Sequence, residues 1–140
     1  MIVLDTDHFV EISKGTSPDA IRLRNRLEAA EEQVAVTIVT GEEVLRGWFA
    51  EIRRHRDTRL QITPYARLQQ TLTNLAKWLV LAWEHNAVSE YENLLVAKIR
   101  VGTLDLKIAS IAKANDSLLL SRNTRDFELV PGLRLENWLE

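Results

Sequence analysis

The sequence predicts an α/β fold, a three-layer α/β/α domain around a mostly parallel central sheet of about four to five strands. Short aliphatic and β-branched runs, "IVLD", "VAVTI" and "SLLLS", recur along the chain, and segments with helical apolar spacing separate them. The 140 residues, 46% of them hydrophobic, include only five glycines and three prolines, enough chain for one sizeable core. No repeat, low-complexity tract or linker divides them, so residues 1–140 are expected to form a single domain.

Taken in order, "IVLD" reads as a short buried strand. "TSPDAIRLRNRLEAAEE" is a helix with Ser17 at the cap and Pro18 at the first helical position, ending near Glu32. "VAVTI" is a second strand, and "GEEVLRGWFAEIRRHR" has helical spacing through Val44, Leu45, Trp48, Phe49 and Ile52. A further helix starts at Thr63 and Pro64 in "TPYARLQQTLTNLAKW". "WLVLAW" is open to two readings, an extension of that helix or a strand, and its aromatic and aliphatic run before "EHN" favours the strand. "SEYENLLVAKI" is a helix that Gly102 breaks. "TLDLKIASIAKAN" is another, capped by Thr103, whose Leu104, Ile108, Ile111 and Ala112 form one apolar stripe. "SLLLS" is a strand, "RNTRDF" a turn, and "LRLENW" a last or edge strand.

Composition narrows the class. With no cysteine the chain can build neither a disulfide framework nor a thiolate metal site, which suits a reducing cytosol. The opening lacks the basic region and long apolar segment of a signal peptide, and no apolar run approaches a membrane span. The expectation is a soluble, cytoplasmic protein without a membrane partner. A net charge of −2 gives no global pull toward nucleic acid. The sum hides sorting, because "RGWFAEIRRHRDTRLQITPYAR" carries Arg46, Arg53, Arg54, Arg56, Arg59 and Arg67 against only Glu51 and Asp57.

The acids point to chemistry by position. Asp5 and Asp7 stand where the first strand ends, and two carboxylates there oppose each other's ionisation unless something neutralises them. Parallel α/β sheets gather their sites outside the carboxyl ends of the strands. Glu43 follows "VAVTI" and is expected in the first turn of the next helix, Asp105 in the first turn of its own, and Asn123 and Asp126 directly after "SLLLS". Hard oxygen donors without thiol or histidine partners suit Mg²⁺ or Mn²⁺, which would cancel the repulsion at the opening. Each residue also has a plainer explanation. First-turn acids complement the helix dipole, which accounts for Glu42, Glu43 and Asp105 one by one, and Asn123 and Asp126 could serve a turn. Asp5 is harder to explain in that way, since it shares a strand end with Asp7 and no basic residue follows before Lys14. The arginines could be a solvated helix face, Trp48, Phe49 and Trp83 core, and His8, His55 and His85 are too scattered for a metal pair.

"IVLDTD", "TIVTGEEVLRG" and "VGTLDLKIASIAKANDSLLLSRNTRDFELVPGLRLENW" resemble, in order, the motifs of the PIN-domain family, and in particular the VapC-type toxin ribonucleases of bacterial toxin–antitoxin pairs. The likeness runs from Met1 almost to Glu140 and is weakest from Arg53 to Asn86. It implies a metal-dependent endoribonuclease whose first acid is Asp5, whose second is Glu43 in "EVLRG" and whose third is Asp105. These would hold Mg²⁺ or Mn²⁺, with one-ion and two-ion versions both open. At the fourth position, often an aspartate in PIN nucleases, this chain has Asn123, with Asp126 three residues on as a substitute. Asp7 would help through a water, and Thr6 and Ser121 would orient waters or carboxylates. The resemblance also supports "WLVLAW" as the middle strand, and implies a homodimer that pairs its grooves and a VapB-type antitoxin whose C-terminal peptide covers the site.

RNA would be held near an acidic centre by the basic segment, with Arg46, Arg53, Arg54 and Arg56 on flanking phosphates. Two other classes compete. "DTD" also resembles the Asp-x-Asp of haloacid dehalogenase-type phosphatases, but Phe9 stands where threonine or valine is expected and "SRNTRDF" offers no lysine ahead of an acidic pair. A catalytically silent PIN-like binding module is the other, and Asn123 is its best argument.

Overall fold

The computed structural model describes all 140 residues, Met1–Glu140. Five parallel strands, β1 (Ile2–Leu4), β2 (Val34–Thr37), β3 (Leu79–Leu81), β4 (Leu118–Leu120) and β5 (Arg134–Glu136), form one sheet in the order β3-β2-β1-β4-β5. The helices are α1 (Thr6–Ser13), α2 (Pro18–Ala30), α3 (Ile38–Arg53), α4 (Ile62–Leu75), α5 (His85–Val96), α6 (Thr103–Ala114) and α7 (Thr124–Phe127), and a 3₁₀ turn, Thr58–Gln61, leads into α4.

The central strand β1 is buried on both faces, as the uninterrupted "IVL" requires, and successive side chains serve opposite layers. Ile2 and Leu4 join Phe9, Leu23, Leu27, Val36 and Leu120 beneath α1 and α2. Val3 joins Leu106, Ile108, Ala109, Ile111, Ala112, Leu119 and Phe127 beneath α6 and α7. Burial of each Val, Ile, Leu or Phe side chain among these contributes roughly 1.5–3 kcal/mol relative to exposure. The apolar stripe of α6 is buried as its spacing predicts, with Leu104 packed at its margin. Two cores on the two sides of one sheet are the three layers expected.

Connectivity is what positions the site. The chain leaves β1 toward β2 and β3, then crosses to the other side of β1 for β4 and β5. The order therefore reverses between β1 and β4, and a crevice opens outside the carboxyl ends of strands at such a reversal.

Several local expectations change. The sequence pattern does not mark "TDHFVEIS" as a helix, yet α1 starts directly after β1 with Asp5 as its N-cap. The acid that ends the strand is also the start signal of an eight-residue helix too short to show much periodicity. Helix α3 starts at Ile38, with the Thr37 side chain accepting from the Thr40 N–H, so Glu43 lies in the second turn and not the first. Thr103 is the first residue of α6 and Gly102 the cap, without a side-chain bond. "RNTRDF" contains the short helix α7 where a turn was expected. "WLVLAW" does supply a strand, third along the chain but at the edge of the sheet. Its flanking tryptophans turn to opposite faces: Trp78 packs edge-on to Phe9 and Trp83 edge-on to Tyr91. No helix is long and apolar enough to cross a membrane.

Candidate metal centre and its flanking groove

Asp5 is brought to the crevice by β1 and held by two donors. Its Oδ1 accepts from the Thr6 N–H at 2.7 Å and its Oδ2 from Ser121 Oγ at 2.7 Å. It is 5% exposed, and burial, reinforced by the charges of Asp7 and Asp105, raises its pKa from 3.8 to about 7 despite those hydrogen bonds. Glu43 projects from the second turn of α3, where Thr6 Oγ1 donates to its Oε1 at 2.9 Å. Asp105 projects from the first turn of α6, and Asn123 Nδ2 donates to its Oδ2 at 3.2 Å. Burial raises the pKa of both, and neighbouring carboxylates add to it: Asp105, Glu42 and Asp7 around Glu43, Asp126 and Asp7 around Asp105.

Asp5, Glu43 and Asp105 each offer one oxygen, and these three atoms lie within 4.8 Å of one another. Opposite ligands of an octahedral Mg²⁺ stand about 4.2 Å apart, since each Mg–O bond is about 2.1 Å. The residues fit such an ion on two grounds: the donors are all carboxylate oxygens, and each carboxyl is pushed toward its protonated form by burial and like charge. A divalent cation reverses that push.

The remaining residues lie around this triad. Asp126 is not part of it; its Oδ2 accepts from Asn123 Nδ2 at 3.1 Å, so the neutral amide bridges Asp126 and Asp105. Asp7 is taken up by other donors: His8 Nδ1 at 2.6 Å on Oδ1, the Arg122 N–H at 3.0 Å on Oδ2, and Ser121 Oγ at 3.3 Å from Oδ2. Burial alone would raise its pKa, but the bonds from His8 and the Arg122 N–H outweigh that and hold it below 3.8. His8, too far in sequence from the other histidines for a metal pair, is fully buried, and its Nε2 accepts from the Trp138 N–H at 3.2 Å. Thr40, whose Oγ1 lies 3.2 Å from that of Thr6, falls in the first turn of α3, ahead of the Gly41 start that the sequence suggests.

A groove of about 600 Å³ runs from Thr6 and Glu43 along α3, lined by Trp48 and His55, to Arg67 on α4. Arg46 and Arg53 lie on another flank of α3, beside Glu42 and Phe49. Arg46 pairs with Glu42 at 2.6 Å and Arg54 with Glu51 at 3.0 Å, while Arg53 and Arg56 are exposed. The structure thus brings the acids together and spreads the arginines apart.

A family model described as the PIN domain matches residues 2–133. The chain belongs to the PIN-domain family. The fold is also that of several solved structures. VapBC2 from Rickettsia felis bound to a DNA fragment from its promoter is 23% identical, with a TM-score of 0.71 over 99% of both chains. DNA-bound VapBC from Salmonella typhimurium is 21% identical, with a TM-score of 0.74 over 98% of this PIN domain and 97% of that chain. A toxin–antitoxin complex from Klebsiella pneumoniae is 20% identical, with a TM-score of 0.68 over 99% and 98%. No curated protein sequence matches this PIN domain.

Proposed function

We propose that this PIN domain is a VapC-type toxin, an endoribonuclease that depends on Mg²⁺ or Mn²⁺ and is held inactive by a VapB-type antitoxin. The observation that carries the proposal is the meeting of Asp5, Glu43 and Asp105 within 4.8 Å at the reversal of strand order. In this reading the three carboxylates hold the ion. When bound, it supplies an acidified water for in-line attack on a phosphodiester and screens the negative charge around phosphorus. Ser121 fixes one oxygen of Asp5 and Thr6 one oxygen of Glu43, which leaves the other lone pairs free for the ion. Asn123 holds Asp105, and Asp126 behind it is a reserve carboxylate that a second ion would recruit.

RNA phosphates flanking the cut bond would lie along the groove toward Arg67, with Arg53, Arg54 and Arg56 beyond it at the end of α3 and Arg46 on its flank. The likeness in fold to VapBC assemblies and to the toxin–antitoxin complex supports an antitoxin partner, and a homodimer is part of the same proposal. The test is cleavage of a structured RNA by the purified chain with Mg²⁺, with EDTA, and in Asp5→Asn and Asp105→Asn variants. Cleavage that needs the metal and vanishes in both variants is expected. A wild-type chain that neither cleaves nor binds Mn²⁺ would instead be the silent module that Asn123 suggests.

A further inference from the structure

Ser121 Oγ has a single proton and two carboxylates within reach, Asp5 Oδ2 at 2.7 Å and Asp7 Oδ2 at 3.3 Å. One of its lone pairs is engaged as well, since it accepts from the Asn123 N–H at 3.0 Å. Which carboxylate receives the proton depends on how fully Asp7 is satisfied by other donors. Asp7 is well supplied: the Arg122 N–H donates to Oδ2 and His8 Nδ1 donates to Oδ1. His8 can play that part only with its proton on Nδ1, and the Trp138 N–H, donating to Nε2, selects that tautomer. Trp138 is itself pinned, its ring under the Arg26 guanidinium at 4.2 Å and its Nε1 on Glu136 at 2.6 Å. A chain of contacts therefore runs from the C-terminal segment through a buried imidazole to a ligand of the proposed metal.

We propose that His8 is a positioning residue of the metal centre: by saturating Asp7 it leaves the Ser121 proton for Asp5. The inference rests on the metal-centre reading above. Without the Nδ1 donor, Asp7 competes for the Ser121 hydroxyl, Asp5 Oδ2 loses its partner, and the carboxylate is free to rotate away from the ion. Outer partners that orient ligands in this way typically govern metal affinity by 10–100-fold.

Two amide replacements separate the two ends of the imidazole. Asparagine carries an N–H near the position of Nδ1 and keeps the donor to Asp7 while losing the Trp138 bond. Glutamine carries its amide near Nε2 and keeps an acceptor for Trp138 while losing the donor to Asp7. The readout is Mn²⁺ affinity of the full chain by calorimetry, beside the metal-free melting temperature. His8→Gln is expected to weaken Mn²⁺ binding by about tenfold or more. His8→Asn should stay within a few-fold of wild type, even where the two melting temperatures fall equally. Equal losses in both variants, or no loss in His8→Gln, overturn the positioning role while leaving the metal centre intact. Absence of Mn²⁺ binding by the wild type overturns the metal centre and this role together. Should neither variant fold, ¹⁵N spectra of the wild-type imidazole decide: Nδ1 protonated and Nε2 bare is expected, and the opposite tautomer sinks the proposal.

Discussion

The acidic crevice and the arginine-rich stretch are both concentrations of like charge, and the fold builds them in opposite ways. The acids come from distant stretches, "LDTD", "EEVLRG" and "TLDLK", and tertiary structure brings them within 4.8 Å at a half-buried site. The arginines are neighbours in sequence, but α3, the segment after it and α4 carry them to different flanks, and Arg46 and Arg54 pair with acids of α3. Proximity in sequence is thus a poor guide to proximity in space on a helix, where residues far from three or four apart face different directions. Charge that the fold gathers despite electrostatic opposition is the stronger sign of function, because exposed pairs contribute only about 0–1 kcal/mol.

The contrast breaks most sharply if a gathered acid proves dispensable. Asp105→Asn is expected to lower metal-dependent RNA cleavage at least about 100-fold, the scale of losing an electrostatic stabiliser in an active site. Single-turnover rates at saturating Mg²⁺ measure it, and a loss under threefold would mean the triad is not the centre.

The second test concerns stability. A carboxyl whose folded pKa, about 7, lies above its ordinary 3.8 retains a proton that the unfolded chain has lost, so it weakens the metal-free fold as pH rises through that window. The effect is absent below about pH 4 and complete above about pH 7, opposite in sign to that of Asp7. Asp5→Asn should therefore raise metal-free stability at pH 8, by on the order of 2–4 kcal/mol, while abolishing cleavage. Saturating Mg²⁺ should stabilise the wild type, by roughly 2.7 kcal/mol at a hundred times Kd, and not the variant. Chemical denaturation at pH 5 and pH 8, with and without Mg²⁺, checks each sign.

Among the arginines the groove sets the order. Arg67→Gln is expected to weaken RNA binding by several-fold and to reduce the salt slope by roughly one phosphate contact. Arg53→Gln, Arg54→Gln and Arg56→Gln together should weaken RNA association while Mn²⁺ affinity stays unchanged, and Arg46→Gln should do least because Glu42 already holds it. Filter-binding titrations over a salt series would reveal a reversed order. An effect of similar small size but on the metal, not the RNA, is expected of Asn123→Asp. It replaces a donor to Asp105 and Asp126 by a third negative charge, so the metal-free melting temperature should fall while Mn²⁺ affinity rises a few-fold.

The legible part of the sequence was the part with local physical causes. Ser17 and Pro18 mark a helix start because cap and first-turn geometry involve only adjacent residues, and "IVL" marks a central strand because such a strand needs apolar side chains on both faces. Helix α1 is not legible in the sequence because eight residues show little periodicity and its one start signal, Asp5, also faces the crevice. Asp5, Glu43 and Asp105 were legible because strand ends in a parallel sheet converge by rule, and the motif order agreed with that rule. His8 was not legible, since its function depends on Trp138, at the other end of the chain.

By itself, then, the sequence determined the layered α/β class, the acids at strand ends and the family motifs, all of which follow from residue type and short spacing. Only the tertiary structure decided which acids offer oxygens within 4.8 Å of one another, that Asp126 stands behind Asn123, that Asp7 already accepts from His8 and the Arg122 N–H, and that Arg67 reaches the groove. The physical reason is range. Capping and periodicity act over a few residues, whereas hydrogen-bond competition and charge burial act over a few ångströms between segments whose separation along the chain carries no signal.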